Sequence, residues 1–113
     1  MTPTARTLKY LRDLGYTAAV TEHWNAHIMR RQDLFGFVDI IAFQEGEVIF
    51  VQATSGSNTS ARVHKIEANK HAQRWLECGN RILVIGWRQM VAYNKDGQKA
   101  KRKKWEPKIV EVI

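Results

Sequence analysis

The sequence predicts an α/β domain built on a central mixed β-sheet, and three observations carry that reading. Between residues 34 and 54, two apolar runs, LFGFVDIIAF and VIFVQAT, flank the polar turn QEGE, which is the signal for a β-hairpin. A short continuous apolar run, ILVIG, lies within residues 81–87 after a helical pattern, so it reads as a buried strand parallel to its neighbour. A leucine stripe at helical spacing opens the chain. The resulting order is helix, strand, hairpin, helix, strand, an αβββαβ core flanked by helices. With 113 residues and 44% hydrophobic composition, one domain with a real core is expected.

The elements follow in order. Thr2-Pro3 is a helix start, with Thr as cap and Pro at the first helical position. Leu8, Leu11 and Leu14 form the stripe and Gly15 the stop, giving a helix over residues 3–14. Residues 16–25 read as one strand with Tyr16, Ala18, Val20, Glu22 and Trp24 on a shared face. Glu22 there is either a third acid near a site or a solvated strand end. His23 and His27 are four apart, but the segment is extended and no Cys or further His completes a ligand set, so zinc is not expected. Residues 28–33 read as a loop, in which Asp33 either joins a site or pairs with a neighbouring Arg.

The hairpin is the centre of the molecule. With its turn at Glu45-Gly46, Phe43 opposes Val48, Ile41 opposes Phe50, and Asp39 opposes Gln52. Side chains two apart share a face. Phe37, Asp39, Ile41 and Phe43 thus lie beside Val48, Phe50, Gln52 and Thr54. Val38, Ile40, Ala42, Ile49, Val51 and Ala53 take the other face. Both faces are apolar, so these strands are central and covered on each side. Asp39, Gln52 and Thr54 break that pattern at one end of one face. A buried carboxylate is costly unless hydrogen-bonded or bound to a metal. The trio is therefore either a structural Asp–Gln hydrogen bond or a functional site.

Residues 55–60, SGSNTS, form a polar loop and helix cap. The helix runs over residues 60–78, with Val63, Ile66, Ala68, Ala72, Trp75 and Leu76 inward and Gly79-Asn80 as its end. Arg62 and Lys65, three apart, are either an exposed basic face or a pair reaching a phosphate from beside Thr54. His64 and His71 fall on the solvated face, and Cys78 is a small residue near the helix end. After the strand at 81–87, residues 90–93 are a further strand or an irregular segment. NKDG is a turn, and residues 108–113 form a short edge strand.

Charge narrows the partners. The net charge is +7 and the pI near 9.9, which favours a polyanion, most often nucleic acid. Most of that charge sits in residues 95–108, where Lys99, Lys101, Arg102, Lys103 and Lys104 lead up to Trp105. A basic run joined by an aromatic is suited to nucleic acid. The single cysteine permits no internal disulfide, which suits a reducing compartment. No apolar run reaches the ~18 residues of a membrane span, and the first residues have no apolar signal core. A cytoplasmic protein is the expectation.

In this layout, with Asp39 inside GFVD and Gln52-Ala53-Thr54 in the next strand, the chain resembles the PD-(D/E)XK nuclease superfamily. It is similar in particular to archaeal-type Holliday junction resolvases and Mrr-type restriction nucleases, over residues 4–87. The resemblance implies a restriction-endonuclease-like fold and a divalent cation, Mg²⁺ or Mn²⁺. Asp39 would be its ligand, with Gln52 at the acidic position of the E-x-K tripeptide, as in the Q-x-K variants. Ala53 would lend its carbonyl. Thr54 stands where the lysine belongs, and a hydroxyl supplies no positive charge. Lys65 or Arg62 would restore it from the following helix. The resolvases' early-helix glutamate has no counterpart, and Glu22 would stand in for it.

Mg²⁺ usually takes one or two carboxylates. Asp39 with an amide alone would hold it weakly, so Glu22, Asp33 or a DNA phosphate is needed. The implied activity is metal-dependent endonucleolytic hydrolysis of DNA, at branched or recombination structures, with the basic segment holding the backbone. The alternative is a nuclease fold without turnover that only binds nucleic acid. A third reading is an interaction protein whose basic tail meets an acidic partner. Nucleases of this layout are often dimers that cut two strands, and an apolar sheet edge offers a homodimer surface here.

Overall fold

The computed structural model describes residues 1–113. Helix α1 spans Pro3–Asp13, and the Thr2 hydroxyl caps it by accepting from the Ala5 amide at 3.1 Å. Strand β1 is Thr17–Val20, β2 His23–Asn25, β3 Arg30–Gln32, β4 Ile40–Gln44 and β5 Glu47–Ser55. A 3-10 turn, Gly56–Asn58, leads into α2, Thr59–Glu67, and α3, Lys70–Glu77. Strands β6, Arg81–Tyr93, and β7, Lys99–Val112, complete the chain. The main sheet has five strands in the order β1-β4-β5-β6-β7, with β2 and β3 paired separately. Only β5 and β6 are parallel, which makes the sheet mixed.

The hairpin has the register expected from its sequence. Phe43 pairs with Val48 and Ile41 with Phe50, around a turn where Gly46 adopts φ +83°. Helix α1 covers one face, packing Leu11 onto Ile40, Ala42, Ile49, Val51 and Ile85. Its buried Thr7 accepts a hydrogen bond from the Trp87 indole at 2.8 Å. Helices α2 and α3 cover the other face, setting Ile66 and Ala72 against Phe50, Ile82 and Val84. Trp75 stacks on Phe50 with ring centres 3.8 Å apart. A Cβ on Gly86 would stand 2.1 Å from the Thr59 hydroxyl, so only glycine lets the start of α2 close onto β6.

Several elements differ from expectation. The strand expected over residues 16–25 leaves the sheet after Val20, whose partner Ile40 is the first residue of β4. Thr21 ends the pairing, donating its amide to the Asp39 carbonyl and its hydroxyl to the Val38 carbonyl. Glu22 therefore lies in a connection, not on a strand face. The loop expected at residues 28–33 contains β3, folded back on β2 through a turn in which the Asn25 side chain accepts from the His27 amide at 2.9 Å. Val38 sits with Phe37 in the α2/α3 cluster, not beside Ile40. Alternation fails there because the chain curls through Phe35 (φ +55°) and Gly36 (φ +82°) before β4 begins.

The single helix expected over residues 60–78 is two. Asn69 is extended, and its side chain accepts from the amides of His71 and Ala72 to start α3 afresh. Beyond residue 87, β6 continues to Tyr93. The basic segment and the short terminal strand are one strand, β7, of 14 residues. No helix is long and apolar enough to cross a membrane.

Candidate functional site

The curl before β4 and the break after β1 deliver three acids to one place. Asp39 immediately precedes β4, Glu22 follows β1, and Asp33 follows β3. Each offers a carboxylate oxygen, and these oxygens all lie within 4.8 Å of one another. Gln52 reaches the same point from β5, donating from Nε2 to Asp33 Oδ2 at 3.3 Å. Asp39 and Gln52 thus converge on Asp33 instead of bonding to each other, and the Asp–Gln hydrogen bond present is the one from Gln52 to Asp33. Thr54, two residues on and buried, extends the same face.

Burial makes this group unusual. Asp39 is 5% exposed and Gln52 2%. The Asp39 pKa is pushed up to about 7, chiefly because burial disfavours the charged form. The Asp33 carboxyl beside it raises it further, and the charge of Glu22 adds to that. The amide of Ala53, donating to Asp39 Oδ2 at 2.8 Å, acts in the opposite direction. Ala53 is thus tied to the group through its N–H, not through its carbonyl. Cationic compensation is slight: Arg31 approaches Glu22 at 3.7 Å from an exposed position, and neither aspartate has an ion pair. Gln52 Oε1 is buried without any hydrogen-bond partner. Such an atom costs roughly 1–3 kcal/mol if left unmet.

These donors fit a hard divalent cation. Three carboxylates are an oxygen set that Mg²⁺ or Mn²⁺ takes, a dication would remove the acid–acid repulsion, and turning the Gln52 amide over would bring Oε1 to the side where Nε2 now meets Asp33. Beside the acids lies a cleft of about 540 Å³, lined by Arg30, Arg31, Gln32, Asp33, Gly36 and Lys65, with no apolar side chain. Of the two α2 cations, Lys65 lines this cleft. Arg62 is half-buried and does not. The other basic candidates, Lys99, Lys101, Arg102, Lys103 and Lys104, are all exposed along β7.

Arg30 and Arg31 were not singled out from the sequence. The missed signal is the Asn25 turn, which folds β3 back so that both arginines border the cleft. Comparison with family models, with curated proteins and with solved structures finds no match to this chain.

Proposed function

We propose that this chain is a divalent-metal-dependent DNA endonuclease of the PD-(D/E)XK type, with a restriction-endonuclease-like fold. One observation carries the reading: a buried Asp39, grouped with Asp33 and Glu22 and next to the unmet Gln52 oxygen, opens beside a cleft lined with cations. A polyanion that brings its own negative charge fits the cleft, and a dication fits the acids. Asp39, Asp33 and Glu22 hold the cation, with Gln52 Oε1 as a neutral donor once its amide turns over from its bond to Asp33. Mg²⁺ or Mn²⁺ held there supplies polarisation of a phosphoryl oxygen and a more acidic water. Lys65, Arg30 and Arg31 hold the phosphate and stabilise negative charge as it develops. Without the cation, Asp39 holds a proton up to near neutrality, and the cation must displace that proton to bind.

The test is incubation of the protein with linear, single-stranded and branched DNA, with and without Mg²⁺ or Mn²⁺. Cleavage that needs metal, and that Asp39→Ala abolishes while DNA binding persists, is expected. No cut in any of these substrates sinks the enzyme reading. The second reading, a nuclease fold that binds without turnover, draws on Thr54. That buried side chain brings no charge to the position where the superfamily's lysine would stand. It predicts equal binding by wild type and Asp39→Ala, and no product from either.

A further inference from the structure

Strands β6 and β7 do not end with the sheet. Thr54 and Ser55, at the end of β5, pair with Gly86 and Trp87. Beyond that point β6 and β7 pair only with each other, from Arg88 with Glu106 to Tyr93 with Lys99, closed by the turn at Gly97. The result is a free two-stranded ribbon, six residues along β6, so roughly 20 Å long. From Arg88 to Glu106 it holds seven cations against the carboxylates of Asp96 and Glu106, the latter paired with Lys104 at 3.0 Å, so it carries most of the chain's net +7. A free ribbon is marginally stable in water, and this one gathers like charges. Its root is held by Arg6, whose guanidinium lies 3.8 Å over the Trp105 ring.

Two features of this ribbon define what it fits. The cations occupy both faces. Lys103 and Lys104, in register with Val91 and Met90, point to opposite sides, and Lys101 and Arg102 follow in the irregular stretch between Val91 and Tyr93. A surface that rests on a single backbone needs charge on one face only. Charge on both faces fits an object inserted between two rows of phosphates. The ribbon also leaves the sheet at the end where the acids gather, and β7 lies three strand spacings, about 14 Å, from the line of β4. The major groove of B-form DNA is about 12 Å wide and admits a two-stranded ribbon.

We propose that the β6–β7 ribbon enters the major groove of double-stranded DNA and thereby presents one bordering strand to the acidic cleft. This rests on the DNA-hydrolase reading for the identity of the polyanion, and it specifies the substrate as a B-form duplex. The groove of A-form duplex RNA is too narrow for the same insertion.

The experiment is fluorescence anisotropy without metal on the full chain. The probes are a DNA duplex of about 20 bp, its single strand, and the same sequence as duplex RNA. The variants are K101Q/K103Q, which reaches one face through Lys103, and R102Q/K104Q, which reaches the other through Lys104, all at exposed positions, with circular dichroism to check folding. The duplex DNA is expected to bind tightest. Each double variant is expected to weaken it at least about tenfold at about 50 mM salt, and to reduce the salt slope by about 1.8. A variant pair that leaves duplex binding unchanged overturns the insertion, as does equal binding of single strand or duplex RNA. Duplex binding that depends on both faces, with no cleavage in metal, upholds the ribbon and sinks the hydrolase. Cleavage indifferent to both variant pairs does the reverse.

Discussion

The two ends of one sheet treat their acids in opposite ways. Where β5 and β6 begin and β7 ends, Arg81 meets Glu47 at 2.6 Å and grips Glu111 through two nitrogens at 2.7 and 3.1 Å. The Tyr16 hydroxyl and the Gln44 amide also donate to Glu47. These bonds hold both glutamates below the usual carboxylate range. At the far end, Asp39 has burial and acids for neighbours instead of a cationic partner, and its pKa is pushed up to about 7. One end is a finished network. The other leaves its aspartates without a cationic partner. The acids look alike in sequence, each set in an apolar strand. What separates them is whether a guanidinium is fixed beside the carboxylate.

Breaking the unfinished end gives the largest effects. Asp39→Asn is expected to lower metal-dependent DNA cleavage by at least about 10³-fold, about 4 kcal/mol of transition-state stabilisation. Single-turnover kinetics on a duplex would measure it. The same variant is expected to stabilise the metal-free protein, because the amide oxygen can still accept from Ala53 while the buried charge is gone. The native Asp39 binds a proton more tightly than the unfolded one, so the folded state holds more protons between about pH 4 and 7. Stability therefore falls as pH rises through that window and stays reduced above it. Denaturant titration at pH 8 is expected to show Asp39→Asn on the order of 2–4 kcal/mol more stable, and the difference is expected to vanish near pH 4. A destabilised Asp39→Asn would put this end in the same class as the Arg81 end.

Metal sharpens the comparison from the other side. Mg²⁺ is expected to raise the melting temperature of wild type at pH 8, by an amount that grows with the logarithm of its concentration. Near pH 5, where Asp39 is protonated, the rise is expected to fade, since the ion must displace that proton. Asp39→Asn is expected to lose most of the rise at any pH. Equal shifts in both proteins would place the ion elsewhere.

The sequence made the hairpin legible because two apolar runs about one turn admit few registers, and that register brought Asp39 and Gln52 to one end. It also made α1 legible, through Thr2, Pro3 and the leucines. Asp33 was visible as an acid with two possible roles. Its place at the site depends on a chain reversal through Phe35 at positive φ, which no local preference of phenylalanine announces. The split between α2 and α3 hides behind an apolar spacing that runs through it, and only the capping ability of Asn69 marks it. The length of β7 was hidden for the opposite reason. Lysine on both faces leaves no alternation of apolar and polar residues to count.

The smallest effects come from dismantling the finished end. Arg81→Met removes both ion pairs but keeps an unbranched stem over the strands. The pairs are 22–40% exposed, so solvent screens them, and a loss of about 1 kcal/mol at pH 7 is expected. The sign with pH is opposite to that of Asp39. The depressed pKa values of Glu47 and Glu111 make their contribution complete above about pH 4.5, and it disappears as pH falls through the lower folded values. Wild type and Arg81→Met are thus expected to converge in acid, and about 1 M salt is expected to narrow the gap at pH 7. The stability profile of Asp39→Asn is expected to ignore that salt, since a charge shielded by burial is screened much less. If both variants respond to salt alike, the acids at the two ends of the sheet are the same kind of group, and the contrast between them disappears.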